Sequence, residues 1–414
     1  VPTTLRRSAL AVATFLTLSA VGAAPAAADV APTPNPGSVP GDAAESAAVV
    51  ATAQQILAHS GPGLAIAVTK PDPAYPGASL TTSYYFGDAD KALGRRVGPQ
   101  TQFEIASETK TFTAALLAKR IAQGQAHLDD PAQPYASGVT LPSRDGAVIT
   151  LGDLVTHRSG LTDDPPNLDA PCGGVPGCNP KPRYDRGYLW QGLEKPDALF
   201  AAPGTQWLYS DFGFGTLGTL LADTFAPGHP EPAFGQVVAD ELTGPLGMTS
   251  TTLETRTPDL AQPYAHGKPA NLWDNTAALA GGGGLISTAS DMAIWAAATL
   301  GYGDNPLVPV LQSMLTEIPG PTDPKNPGTA MGMAWQLFPA SGSTPAYAFK
   351  NGGAAGSTSA TVLVPENGWA ITVLNNGANM DFVSSATTTL MQTLVAGEPG
   401  PGATGSVVFG STGS

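Results

Sequence analysis

An α/β domain with a helical insertion is the fold this sequence predicts, on three observations. Short apolar runs of strand type stand near one end, at 64–68 and 82–86, and return in the last third at 333–338, 347–350, 358–364 and 369–375. Between them, about 126–265 alternates brief helical patterns with long Pro/Gly loops, so sheet segments bracket a helical middle. The chain has 414 residues, 42% of them apolar, enough to bury one large core or two packed subdomains.

Composition removes several classes of function. Asp and Glu number 33 against 19 Lys and Arg, for a net charge of −14. A phosphate backbone needs a basic footprint, so nucleic-acid binding is disfavoured. Gly and Pro (49 and 40 residues) fall short of the share that marks low-complexity disorder.

Residues 1–28 read as a secretory signal. Arg6 and Arg7 form the charged region, and Ala9 to Val21 is an apolar run shorter than the ~20 residues of a spanning helix. Ala26 to Ala28 supplies a small-residue cleavage site. The expectation is an exported protein, secreted or in the cell envelope, with no stable membrane span in its mature chain. Residues 29–41 are Pro-rich and read as an extended linker.

The main domain is expected over 42–398. Asp42 opens a helix, with Glu45 as a capping-box partner and Val49, Val50, Ile56 and Leu57 as its apolar face. A strong helical pattern runs from Ser107 to about Gln123, and Gly124 stops it. Thr150 followed by Asp153 opens a short helix in the middle region. A last helix is expected from Phe382 to Leu394, then a disordered tail over 399–414 built of Gly, Ser, Pro, Thr and a few apolar residues.

Cys172 and Cys178 are the only cysteines, six apart across a Gly/Pro turn. Outside the cytosol they are expected to form one local disulfide. No His pair stands near them at ligand spacing, so neither zinc nor another metal is expected.

A serine is too weak a nucleophile at its own pKa and needs an adjacent base. Ser107-Glu-Thr-Lys110 puts a hydroxyl and an amine one helical turn apart. Lys110 can take that proton only if burial depresses its pKa. Taken alone, this spacing is equally a capped helix with a solvated lysine. Two further segments join it: Tyr209-Ser-Asp211, read as a loop, and Lys350-Asn-Gly352, read as the end of a strand entering a Gly-rich run.

In that order the three motifs resemble Ser-x-x-Lys, Tyr-x-Asn and Lys-Thr-Gly of the class C β-lactamase-related serine hydrolases, whose other members are penicillin-binding D-alanyl-D-alanine carboxypeptidases and esterases. The blocks around them agree: Phe103 to Phe112, Leu128 to Pro131, Leu154 to Leu161, Pro203 to Gly213, Pro245 to Ser250 and Gly284 to Asp291. The resemblance covers about 45–398. It implies an antiparallel sheet flanked by helices with a mainly helical inserted subdomain, the β-lactamase/penicillin-binding-protein arrangement.

It further implies Ser107 as acylated nucleophile and Lys110 as its proton acceptor. Tyr209 would share protons with Lys110 and the leaving group. Lys350 would be a fixed cation that lowers the tyrosine pKa and faces a substrate carboxylate. The backbone N–H groups of Ser107 and Gly353 would form the oxyanion hole, and Asp211, Asn351 and Gly352 would contact substrate. Two residues depart from the pattern. Asp211 replaces Asn, which loses an amide donor and should raise the Lys110 pKa. Asn351 replaces Thr, which loses a hydroxyl for a carboxylate.

The activity so implied is that of a D-alanyl-D-alanine carboxypeptidase or endopeptidase on cell-wall peptides. A β-lactamase, a small-substrate esterase or amidase, and a catalytically silent penicillin sensor are the alternatives. The expected partners are D-Ala-D-Ala peptides or β-lactams, the expected state is a monomer, and no cofactor is implied.

Other segments carry less. Gly281 to Gly284 lacks a following Lys-Ser/Thr, so it reads as a mobile or tightly turned loop and not as a phosphate loop. No Gly-x-Ser-x-Gly occurs. His157 reads as a packed or capping residue. Lys181, Arg183 and Arg186, beside the cysteine loop, form either a substrate rim or a solvated patch.

Overall fold

The computed structural model describes residues 31–228 and 233–396. The leader expected over 1–28 and the tail expected over 399–414 lie outside the described residues, as do 29 and 30 of the linker.

One large antiparallel sheet dominates. Its strands are β1 (Gly63–Pro71), β2 (Ser79–Asp90), β3 (Arg95–Arg96), and then, after the two-stranded pair β4 (Phe103–Glu104) and β5 (Ile286–Ser287), β6 (Ala330–Met331), β7 (Gln336–Phe338), β8 (Tyr347–Gly353), β9 (Thr358–Val364) and β10 (Trp369–Asn375). The sheet order is β6-β7-β8-β9-β10-β1-β2-β3. β10 from the last third lies against β1, with Ile66 opposite Val373, so the two strand-rich regions of the sequence close into one sheet.

Both sheet faces are covered, which is why β1 reads as an unbroken apolar run over 64–68 and β10 is interrupted over 369–374 only by Thr372, whose hydroxyl pairs with that of Thr361 at 2.9 Å. Leu64, Ile66 and Val68 point to one side. There they meet Val49, Ala53 and Ile56 of α1 (Ala43–His59) and Val383, Leu390 and Met391 of the C-terminal helix (Met380–Val395). Ala65 and Ala67 face the other side, into the larger core. That core holds α2 (Thr109–Ala122), whose residues 109–118 are all buried. Phe112 of α2 stacks on Trp295 at 3.9 Å between ring centroids.

The polar residues of α2 are buried because each finds a partner. Thr113 Oγ1 donates to the Gly281 carbonyl at 2.7 Å, and Thr109 Oγ1 accepts from the Leu285 N–H at 3.0 Å. An unsatisfied hydroxyl there would be costly.

Three local expectations need correction. Asp42 caps α1, accepting from the Ala44 and Glu45 N–H groups at 2.9 Å, but Glu45 does not complete a capping box. Its carboxylate turns into the sheet, where it accepts from Thr82, from the Tyr84 hydroxyl at 2.9 Å and from Lys70 at 2.7 Å. The strand expected from 333 begins only at Gln336, after Ala334 at φ 63°. The strand carrying Lys350 does not end there; β8 continues through Gly353, which lies opposite Thr358.

The 126–265 region holds α3 (Leu151–Val155), α4 (Arg186–Leu193) and α5 (Asp211–Phe225) among long irregular connections. Thr150 and Asp153 form a full capping box on α3. Cys172 and Cys178 are bonded to each other. Among the described residues no helix is long and apolar enough to cross a membrane.

Candidate active site

Three chain segments converge beside α2. A 3-10 turn, Ala106–Glu108, leads into that helix and places Ser107 at its start. Ala106 stands at φ 44°, a left-handed conformation that a non-glycine residue adopts only when its surroundings impose it. Ser210 caps α5, accepting from the Gly213 N–H at 2.8 Å, so Asp211 opens a helix and does not sit on a loop as expected. The third segment is the far end of β8. β7 pairs with β8 only over Tyr347–Phe349, which leaves the edge at Lys350–Gly353 to face Ser107.

The side chains meet closely. Tyr209 OH donates to Ser107 Oγ at 2.6 Å, and Lys110 Nζ donates to the same oxygen at 3.1 Å. Lys110 also donates to Asp211 Oδ1 at 2.5 Å and to the Gly282 carbonyl. An ammonium has three N–H donors, and these contacts use all three. A cavity of about 560 Å³ opens over Ser107, bounded in part by Tyr209, Lys350, Trp207, Trp273 and Phe338.

Glycines permit the convergence. A Cβ at Gly352 would fall 2.2 Å from the Ile105 carbonyl and 2.8 Å from Ser107 N, so β8 lies directly against the nucleophile's backbone. Gly281 and Gly218 pack Cα to Cα, a Cβ on Gly281 lying 2.9 Å from Gly218. The 281–284 run is therefore tightly turned, one helical turn pressed onto α5, and its Gly282 carbonyl holds Lys110.

The electrostatics differ from those the motifs imply. Burial alone would lower the Lys110 pKa, yet the charge of Asp211, and then Tyr209, outweighs it and raises the value above 10.5. Lys350 moves the other way. Burial and the neighbouring Lys110 charge bring it down from 10.5 to about 7. The expected fixed cation is thus the amine that titrates near neutrality, and the expected base is the one held charged.

Burial pushes Tyr209 up to about 12 although Lys110, 4.8 Å from its ring centroid, works against that. The lowering expected from Lys350 is not found; that amine stands 5.8 Å from the ring and donates to the Asn351 carbonyl at 2.8 Å.

Of the remaining expected residues, Gly353 lines the cavity with Ser107. Asn351 borders it too, but its Nδ2 donates to Ser384 at 3.0 Å. His157 is packed: Nδ1 accepts from the Ser210 N–H at 3.1 Å, the ring lies 4.5 Å from Tyr209, and burial holds its pKa well below 6.5. Lys181 is not solvated. It is buried behind Trp273, its Nζ 4.3 Å from the ring centroid.

Sequence reasoning missed Glu108, the residue after the nucleophile. It is fully buried, accepts from Thr361 Oγ1 at 2.8 Å, and is pushed by burial to about 7. Its Oε1 has no hydrogen-bond partner among the described residues. Its place inside Ser-x-x-Lys was visible, but not the fact that a turn there points it under the sheet. Trp207 and Trp273 were missed as well, since nothing in their spacing ties them to Ser107.

A large antiparallel sheet with helices on both faces and a Ser-Lys-Tyr cluster at its edge is the architecture of the penicillin-recognising serine hydrolases. The chain belongs to the β-lactamase family: the family model described as Beta-lactamase matches residues 36–394. Among curated proteins it is 29% identical over 293 residues to the D-alanyl-D-alanine-carboxypeptidase/endopeptidase AmpH of Escherichia coli (strain K12), covering 66% of this chain and 71% of that one. It is 30% identical over 245 residues to a beta-lactamase of the same strain, covering 58% and 56%. Among solved structures, the beta-lactamase/D-alanine carboxypeptidase from Yersinia pestis superposes with a TM-score of 0.69 at 25% identity, covering 85% of this chain and 98% of that one.

Proposed function

We propose that this protein is an exported serine acyl-enzyme hydrolase that cleaves D-alanyl-D-alanine peptides as a carboxypeptidase or endopeptidase. The observation that carries the reading is Ser107 Oγ lying 2.6 Å from the Tyr209 hydroxyl and 3.1 Å from Lys110 Nζ. The named activity of the E. coli relative, and a β8 lysine suited to a terminal carboxylate, support this substrate class.

In this reading Ser107 Oγ bonds to the substrate carbonyl carbon while its proton passes to Lys110 in the neutral amine form. The resulting oxyanion sits between the backbone N–H groups of Ser107 and Gly353, where one such donor is worth ~3 kcal/mol. As the C–N bond breaks, the proton travels through Tyr209 to the leaving nitrogen. Water then cleaves the ester and returns Ser107. Asn351 and Gly352 border the substrate, and Lys350 faces its carboxylate. No step calls for a metal or an organic cofactor, and the unit that performs it is a monomer. The Cys172–Cys178 bond and the leader expected at 1–28 support a place outside the cytosol.

Fluorescent penicillin labelling of the protein and of Ser107→Ala, alongside D-alanine release from a D-Ala-D-Ala peptide, tests the proposal. It expects a long-lived adduct absent from the variant, together with release. A short-lived adduct with rapid drug destruction would replace it with a β-lactamase. Labelling without release would make it a sensor, and neither labelling nor release would shift the reading to an esterase or amidase.

A further inference from the structure

His157, just after α3, brackets Tyr209 from both sides. Its backbone carbonyl accepts from the Leu208 N–H at 2.7 Å, and its ring Nδ1 accepts from the Ser210 N–H at 3.1 Å. Among the described residues the N–H and C=O of Tyr209 itself have no hydrogen-bond partner, so this stretch of backbone is held through its two neighbours. The imidazole also lies against the phenol, with 4.5 Å between ring centroids and 30° between planes. Phe214 of α5 at 4.8 Å and Trp207 at 5.6 Å close round the same imidazole, which is buried at the cavity wall.

The bracket makes particular demands on the residue. His157 stands at φ 61°, a left-handed conformation that a side chain disfavours unless its surroundings impose it. Because Nδ1 accepts a hydrogen bond, the ring carries its one proton on Nε2; an imidazolium would turn a second donor toward the Ser210 N–H. Burial, and then the charges of Lys110 and Lys350, favour the neutral ring. What the bracket fixes is the phenol whose hydroxyl lies 2.6 Å from Ser107 Oγ. A catalytic group misplaced by about 1 Å costs on the order of 100-fold in rate.

We propose that His157 is a positioning residue that holds the Tyr209 hydroxyl on the path from Ser107 to the leaving nitrogen, acting through its backbone carbonyl and its unprotonated Nδ1. The inference rests on the acyl-enzyme reading above and adds the residue that sets the geometry of its proton transfer.

The test compares an amide with an ester. The nitrogen of a D-Ala-D-Ala peptide must take up a proton as it leaves, whereas p-nitrophenolate leaves without one, so the peptide depends on Tyr209 far more than the ester does. His157→Gly and His157→Asn both accept a left-handed backbone, and an asparagine Oδ1 stands where Nδ1 does. In His157→Gly, kcat/KM for the peptide should fall about 100-fold and that for p-nitrophenyl acetate only about threefold. His157→Asn should bring the peptide value back to within about fivefold of the native protein. Tyr209→Phe should show the same peptide-selective loss, with no further loss when it is combined with His157→Gly. A peptide value unmoved in His157→Gly, an equal loss on both substrates, no recovery in His157→Asn, or losses that multiply in the combined variant would overturn the role of His157. If the native protein cleaves the ester but releases no D-alanine, the peptidase reading alone has failed, and the same comparison on the rate of penicillin acylation, which also expels a nitrogen, decides the inference. A Ser107→Ala protein that still hydrolyses both substrates would overturn the acyl-enzyme reading and the inference with it.

Discussion

Lys110 Nζ and Asp211 Oδ1 lie 2.5 Å apart, with the lysine fully buried. A family asparagine at 211 would leave this amine neighbouring a neutral amide. Here it neighbours a carboxylate, whose charge favours the ammonium form of the buried amine. Breaking such a pair strands a buried charge, so the resting site is firmly in the ammonium state. Acylation in this protein must begin by withdrawing a proton that Asp211 helps to retain.

Lys350, which lines the cavity, changes charge in the working range. Its pKa of about 7 means that the cation is present below neutrality and lost above it. A substrate carboxylate favours the charged form, so binding should take up a proton. KM for a peptide with a free terminal carboxylate should climb as pH rises from 7 to 9. KM for the same peptide capped as an amide should stay level over that interval. Steady-state kinetics on the two peptides would show it, and a parallel rise for both would count against the role given to Lys350.

Glu108 gives a stability signature. Its pKa is about 7 in the folded chain against an ordinary 4.5. Between those values the folded state keeps a proton that the unfolded state has lost, so stability falls as pH rises through the interval and levels off above 7. The full drop is on the order of 3 kcal/mol. Lys350, lowered from 10.5 to about 7, adds the opposite slope only above neutrality. Urea denaturation at pH 4.5, 5.5 and 6.5 should show the decline in the native sequence and a flatter profile in Glu108→Gln. Identical slopes would mean that Glu108 does not carry the proton.

Gly281→Ala would put a methyl 2.9 Å from the Gly218 Cα and 2.9 Å from the Phe214 carbonyl, both backbone atoms that cannot swing away. Overpacking of this kind costs about 1–3 kcal/mol. It should also displace the Gly282 carbonyl that holds Lys110, so turnover should fall more than the lost folded fraction explains. Denaturant midpoints and active-site titration on one preparation separate the two effects.

The strand at 64–68 was legible because a central strand covered on both faces is apolar throughout, and those at 82–86, 358–364 and 369–375 because their aromatic and β-branched residues, threonines included, suit a sheet. The convergence of Ser107, Lys110 and Tyr209 was legible only as a resemblance of motifs, since 102 positions separate the Tyr209 hydroxyl from its Ser107 partner. The electrostatics were half legible. That Asp211 would raise the lysine pKa follows from charge alone, and the structure bears it out. That Lys350 would lose its fixed charge does not, because it depends on how deeply β8 is buried and on its nearness to Lys110. Glu45 shows the same limit: a glutamate three residues after an N-cap suits the box, yet Lys70, Thr82 and Tyr84 compete for it from strands the local sequence does not reveal.

The account stands most directly on the pH dependence of acylation in Asp211→Asn. Removing that carboxylate removes the leading cause that raises the Lys110 pKa, so more neutral amine is available at any given pH. The rate of penicillin adduct formation, followed by stopped flow from pH 5 to 10, should keep its form while its acid limb moves to lower pH by about one unit or more. An acid limb at the same pH in both proteins would contradict the account, because Lys110 would then not be the group that must lose its proton before Ser107 can attack.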